Sequence, residues 1–269
     1  MENSIAFASP EDNNPENSPW NQPRGNNNYE DLVLKPEYAE RRLRFPVGQT
    51  WFRIVPKLAG SLYGWMLPLH VLQFERGRFV HPRTFKRSVR SAYDHAYAWA
   101  KENEPAALFS KANKTGVRLL TDPMCLFWVL VEQDRKYVTR LIQASGYDGS
   151  RGGAPGLGYK IWRLCQERDE TGARVADVVS AAAGVLIKVE KNQPKGAKYP
   201  TYHLSLGQTP RPMDAVLEQM DPAERAVLCP LENVVRELND EEEWQCLGKV
   251  IAPATVKQIR ESLVPANQA

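Results

Sequence analysis

A mainly β fold with helical additions, of the α+β class, is what this sequence predicts. Three observations carry that expectation. Six short runs rich in β-branched, aromatic and aliphatic residues are spread over residues 50–206. One long helical pattern interrupts them after the second run. From Pro212 onward the texture turns helical.

The elements follow in chain order. Residues 1–34 hold N-N-P-E-N-S-P-W and G-N-N-N-Y, with almost no apolar periodicity, and read as an acidic Asn/Pro-rich arm. T-W-F-R-I-V-P (50–56) has strand formers and stops at a proline. W-M-L-P-L-H-V-L-Q-F (65–74) follows a Gly/Ser turn, which predicts a hairpin between the two. The proline inside the second run predicts an edge or a bulge. In residues 88–102, Val89, Ala92, Tyr93, Ala96 and Ala100 fall at three- and four-residue steps and predict a helix. M-C-L-F-W-V-L-V-E (124–132) reads as a buried strand, with Y-V-T-R-L-I-Q-A (137–144) as its partner. A short helix over 157–168 comes next. A-G-V-L-I-K-V-E-K (183–191) and Y-P-T-Y-H-L-S-L (199–206) then form a hairpin with a basic tip.

This order predicts an elaborated five-stranded OB-type barrel over residues 35–212, with a helical insertion at about 75–123. Residues 213–269 form an acidic helical segment. D-P-A-E-R-A-V-L and P-A-T-V-K-Q-I-R-E-S-L-V each open with a cap-plus-proline start signal, and D-E-E-E (240–243) between them reads as a solvated turn or helix end.

At 269 residues and 42% hydrophobic content the chain can bury a full core. It has no stretch near the ~20 apolar residues of a membrane span and no basic-then-apolar leader, so a cytoplasmic protein is expected. Cys125, Cys165, Cys229 and Cys246 are scattered without a C-x-x-C pair, which predicts reduced thiols.

Charge is distributed unevenly. Residues 1–34 carry −5. Residues 35–212 carry 29 Lys/Arg against 15 Asp/Glu, or +14, and residues 213–269 carry −6. A basic body between acidic ends points to a polyanionic partner for which the ends compete. The positive charges alternate with rings. Arg76, Arg78, Arg83, Lys86, Arg87 and Arg90 run alongside Phe79 and Phe85 with no acid among them. Other such spots are Arg135-Lys136-Tyr137, Lys160-Ile161-Trp162-Arg163, and Lys195 with Lys198-Tyr199. A phosphate backbone needs closely spaced cations, and unpaired bases need flat faces, so the mixture favours single strands over duplex.

Catalytic patterns are missing. G-S-R-G-G-A-P-G-L-G-Y-K (149–160) spaces Gly153 and Gly158 like a phosphate-binding loop, but Tyr159, Lys160 and Ile161 stand where the lysine and the magnesium-holding hydroxyl are needed. Its Gly/Arg/Pro composition, with Arg151 in it, suits a loop that closes over a bound strand as well as a long surface loop without a ligand. His70, His81, His95 and His203 show no ligand spacing. Asp94-His95 reads as a surface pair. No catalytic residue, metal or cofactor is expected.

F-R-I-V-P (52–56), G-Y-K-I-W (158–162), V-L-I-K-V-E-K (185–191) and Y-P-T-Y (199–202) occur in that order. With these motifs, residues 43–207 resemble the helix-destabilising single-stranded-DNA-binding proteins of tailed phages, which have an F-R-x-x-P strand, a K-I-W helix and a closing K-V hairpin. The resemblance implies an OB fold, no catalysis, and a role in phage DNA replication, recombination and repair. It also places Arg53, Lys160 and Trp162 on matching positions, as DNA contacts or as supports. Members with a zinc-binding Cys/His insertion differ from this chain, whose 75–123 region has only His81 and His95; no structural zinc is expected, the 88–102 helix filling that place. The expectation is therefore sequence-independent single-stranded-DNA binding. The alternative is a scaffold whose C-terminal segment docks replication or recombination proteins.

Overall fold

The computed structural model describes residues 30–263, except 75–76, 86–89, 104, 106–118, 120, 135, 151–152, 175–176, 196 and 198–199, and except the side chains of residues 83 and 85. Almost all of the N-terminal arm thus lies outside the described residues. Those described form a mixed α+β fold with an open eight-stranded sheet and eight α-helices.

Strand β5 (Asp122–Gln133) organises the sheet. Its run Met124–Val131 is apolar at every position because both faces are covered. Met124, Leu126, Trp128 and Leu130 enter one core, and Cys125, Phe127, Val129 and Val131 enter another. Strand β6 (Lys136–Ser145) pairs with β5 through ten residues after a tight turn in which Asp134 takes φ 51°. The other edge of β5 is shared. Strand β3 (Leu67–Phe74) takes Asp122–Leu126, and β2 (Gly48–Ile54) takes Val129–Val131.

From β5 the sheet therefore divides into two wings. One runs β3, β4 (Gly77–Val80) and β1 (Glu30–Leu32); the other runs β2, β7 (Val185–Asn192) and β8 (Thr201–Pro210). The β7–β8 hairpin matches the sequence expectation. The expected β2–β3 hairpin does not form, since the two strands lie in different wings. Pro68 sits where β3 has a strand on one side only, because β4 pairs only from Val71 onward. Among the described residues no pairing joins β8 to β6, so the sheet is open where a closed five-stranded barrel was expected. Helix α3 (Leu157–Gln166) packs between them, against β5, β6 and β8.

The remaining helices pack on the β5–β6 pair and beside the first wing. Short helix α1 (Pro36–Ala39) lies near the N-terminus, and Tyr38 meets Trp128 edge-on. Helix α2 (Ala92–Asn103) begins four residues later than expected; a Ser91–Asp94 side-chain pair fixes its start, and Ala92, Tyr93, Ala96 and Ala100 are buried. The C-terminal segment is not a separate appendage. Helices α4 (Met213–Glu218), α5 (Pro222–Ala226) and α6 (Leu231–Val234) lie against β5 and β6, and Met213, Val216, Leu231 and Val234 join the Trp128 core. Helices α7 (Asp240–Val250) and α8 (Pro253–Leu263) pack on α2 through a third core containing Trp244, Leu247, Val256 and Ile259.

Two boundaries change accordingly. Val33 and Leu34, assigned by sequence to the arm, are core residues. D-E-E-E is the first turn of α7, capped reciprocally by Asn239 and Glu242, and Glu243 is buried with its carboxylate accepting from the Ala92 N–H. The four cysteines are free, three of them buried. Among the described residues no helix is long and apolar enough to cross a membrane, and no group of His, Cys, Asp and Glu could hold a metal ion. His81 is buried with its ring against Tyr93, and His95 stacks on Trp244.

Candidate nucleic-acid interface

Helix α3 is seated by two glycines of the 149–160 loop. A Cβ on Gly158 would meet the Ser145 and Ala144 carbonyls at 2.8 and 2.9 Å, and one on Gly156 would collide with Ser145. Gly149 and Gly153 take φ near +91° to turn the loop. The loop's glycines thus serve turn geometry and the docking of α3 on β6. Ile161 and Cys165 face inward, leaving Tyr159, Lys160, Trp162 and Arg163 on the outer half of the helix.

That outer half carries an aromatic pair. Trp162 is 36% exposed, and its ring lies 5.6 Å from that of Tyr159. Arg163 is exposed beside it. Lys160 reaches across to β8, where its Nζ donates to the Tyr202 carbonyl at 3.2 Å. Nearby, Lys191 is turned inward; its Nζ donates to the Phe45 carbonyl at 3.0 Å, and burial lowers its pKa. Phe45 in turn meets the Tyr202 ring edge-on.

A second aromatic–cation pair lies on β2 and β7. Phe52 and Ile54 point into the core, so period-two alternation turns Trp51 outward, 39% exposed. Lys188, directly opposite in register, holds its Nζ 5.6 Å from the Trp51 ring centroid. Gly207 on β8 lies beside the indole, where an added Cβ would make only ordinary contact with it at 3.6 Å. Sequence reasoning missed Trp51 and Lys188. The signal was the alternation of T-W-F-R-I, in which a buried Phe52 fixes an outward Trp51. Lys195 is exposed in the β7–β8 connection.

Several expected contacts have other roles. Arg53 is fully buried: its guanidinium donates to the carbonyls of Ile54, Val178, Ser180 and Arg211, pinning the loop after α3 to the outer face of β2. A Cβ on Gly184 would strike that guanidinium. Burial pulls the Arg53 pKa down to about 10, which leaves it charged at neutral pH. Phe79 and Tyr137 are core residues, as the inward positions of β4 and β6. Arg78 is largely buried and donates to Asp31 at 2.6 Å, and Lys136 pairs with Asp221 at 3.3 Å. Arg53, Phe79, Tyr137 and Arg78 are corrections to the expected interface; Lys136, its side chain 62% exposed, remains at the surface. Arg90 is exposed before α2, away from either pair in sequence. Arg76, Lys86, Arg87, Arg135, Arg151, Lys198 and Tyr199, and the side chains of Arg83 and Phe85, lie outside the described residues.

The acids of the C-terminal segment are engaged locally. Glu224 takes Arg41 and the Thr139 N–H, Glu242 takes Arg236, and Glu241 takes Arg260. Scans of protein-family models and of curated proteins return no match to this chain.

Proposed function

We propose that this protein binds single-stranded nucleic acid, DNA in the first instance, without sequence preference and without catalysis. The observation that carries the reading is the pair of exposed tryptophans, each beside cations: Trp162 with Tyr159, Lys160 and Arg163, and Trp51 with Lys188. Both flank the β7–β8 hairpin, whose connection carries Lys195. Exposed rings offer stacking faces to unpaired bases, and the cations offer partners to phosphates. The helix α3 between the two sheet edges supports reading the sheet as an elaborated, opened OB-type barrel. The motif order shared with the phage helix-destabilising proteins supports a place in replication, recombination and repair. A scaffold docking partners through the C-terminal helices has less support, since α7 and α8 turn their apolar faces to α2.

Tryptophan fluorescence titrated with poly(dT) tests this. Quenching is expected with the single strand and far less with duplex. Trp162→Ala and Trp51→Ala should each weaken binding by about 1–3 kcal/mol. The log–log salt slope should be about −0.7 per phosphate neutralised. Absent quenching, or a flat salt response, removes the proposal.

A further inference from the structure

Among the described residues strand β8 ends the sheet, and the hydrogen-bond alternation shows which of its groups face away from β7. The Val55 N–H donates to the Trp128 carbonyl at 3.0 Å. In an antiparallel ladder each residue turns its N–H and C=O to one side, and the next residue turns them to the other. Arg53 therefore bonds toward β5, and Gly48, Thr50 and Phe52 bond toward β7, where they meet Lys191, Val189 and Ile187. Lys188, Glu190 and Asn192 are left to bond β8, at Ser205, His203 and Thr201. Tyr202, Leu204 and Leu206 consequently direct their N–H and C=O groups away from the sheet. The Lys160 bond to the Tyr202 carbonyl agrees with this assignment and uses one of that oxygen's two lone pairs.

Exposed edges are normally guarded by charge. Thr201–Pro210 contains no Lys, Arg, Asp or Glu, in a chain that is 25% charged. The strand is also self-complementary. Antiparallel pairing with itself about Leu204 sets Leu204 opposite Leu204, Tyr202 opposite Leu206, and His203 opposite Ser205. The first two pairings lie on the apolar face that already leans, half-buried, on the Phe52 core, and the third lies on the exposed face. The same centre aligns the outward N–H and C=O groups of residues 202, 204 and 206 with those of residues 206, 204 and 202, the Tyr202 carbonyl using its second lone pair.

We infer that two copies of this chain pair through β8, antiparallel about Leu204, making one continuous sheet across a two-fold axis. A second copy closes both edges at once, whereas an unrelated extended peptide leaves a new open edge. The pairing puts both Trp51–Lys188 pairs on one face, roughly 24 Å apart at five strand spacings. It rests on the strand ladder and not on nucleic-acid binding.

Sedimentation velocity of the full chain, from low to tens-of-micromolar concentration, reads it directly. A species of twice 30.5 kDa is expected. Leu204→Pro removes an N–H that β7 does not use and should yield a monomer with unchanged circular dichroism. Should that variant fold poorly, His203→Asp with Ser205→Asp, both at exposed positions, sets carboxylates opposite each other and should also give a monomer. A wild-type chain that stays at 30.5 kDa overturns the inference, as does a dimer that survives both variants, or an edge filled by a different peptide while the copies remain apart.

Discussion

At the level of single residues, this chain uses arginine as a structural fastener, which is why several cations expected at a ligand surface lie inside. Asp31 shows the pattern most clearly. Its carboxylate sits between Arg78 at 2.6 Å and Arg42 at 2.7 Å, all three side chains being mostly buried. Burial alone would raise its pKa, but the hydrogen bonds and charges of Arg78 and Arg42 outweigh it and hold the pKa below the ordinary value. A depressed carboxylate contributes stability that is fully present above its unfolded pKa, about 3.9, and is lost as pH falls through the folded value. Asp31→Asn should therefore cost about 3 kcal/mol near pH 7, by removing the carboxylate charge that two largely buried guanidiniums share. The gap between variant and wild type should be smaller at pH 3 than at pH 7, and it closes only as pH falls through the lowered folded value. Urea unfolding at both pH values measures this, and a gap independent of pH contradicts the clamp. Arg53 illustrates the limit of reading such residues from sequence. A cation in F-R-I-V-P looks the same whether it meets phosphate or four carbonyls, and only the loop folded over β2 decides.

At the level of elements, α3 depends on glycine for its seat. Gly158→Ala forces the helix away from the Ser145 and Ala144 carbonyls and should destabilise the protein by about 1–3 kcal/mol. Thermal unfolding reads that loss, and an unchanged midpoint would mean that α3 does not rest on β6. This helix, β5, β6 and the β7–β8 hairpin were legible in the sequence, because period-two and period-3.6 patterns report local burial. Partner choice was not. T-W-F-R-I-V-P and the run at 65–74 look like a hairpin because they are adjacent, yet each pairs better with a different part of β5. Strand β4 was hidden because G-R-F-V lies among arginines, so its inward Phe79 read as a stacking ring. The start of α7 was available in Asn239 and Glu242, spaced as a capping box, but the acids around them read as solvated charge.

At the level of the whole molecule, the acidic C-terminal segment and the basic body are joined by burial as well as by charge. Helices α4 and α6 cover Trp128, whose indole N–H donates to the Cys229 carbonyl at 2.8 Å, and α7 and α8 complete the core of α2. Competition between this segment and a polyanion would require it to leave, exposing two cores. Exposed ion pairs such as Lys136–Asp221 are each worth at most about 1 kcal/mol and do not hold it there. Truncation after Pro212 is therefore expected to abolish cooperative unfolding and expose apolar surface to a hydrophobic dye, instead of tightening nucleic-acid binding. A truncated chain that unfolds cooperatively and binds poly(dT) more tightly than the full chain would restore the segment as a displaceable competitor. Electrostatic competition is better sought among single exposed acids. Asp221→Asn frees Lys136 without disturbing either core, and its effect on binding should vanish at high salt as screening removes the pair.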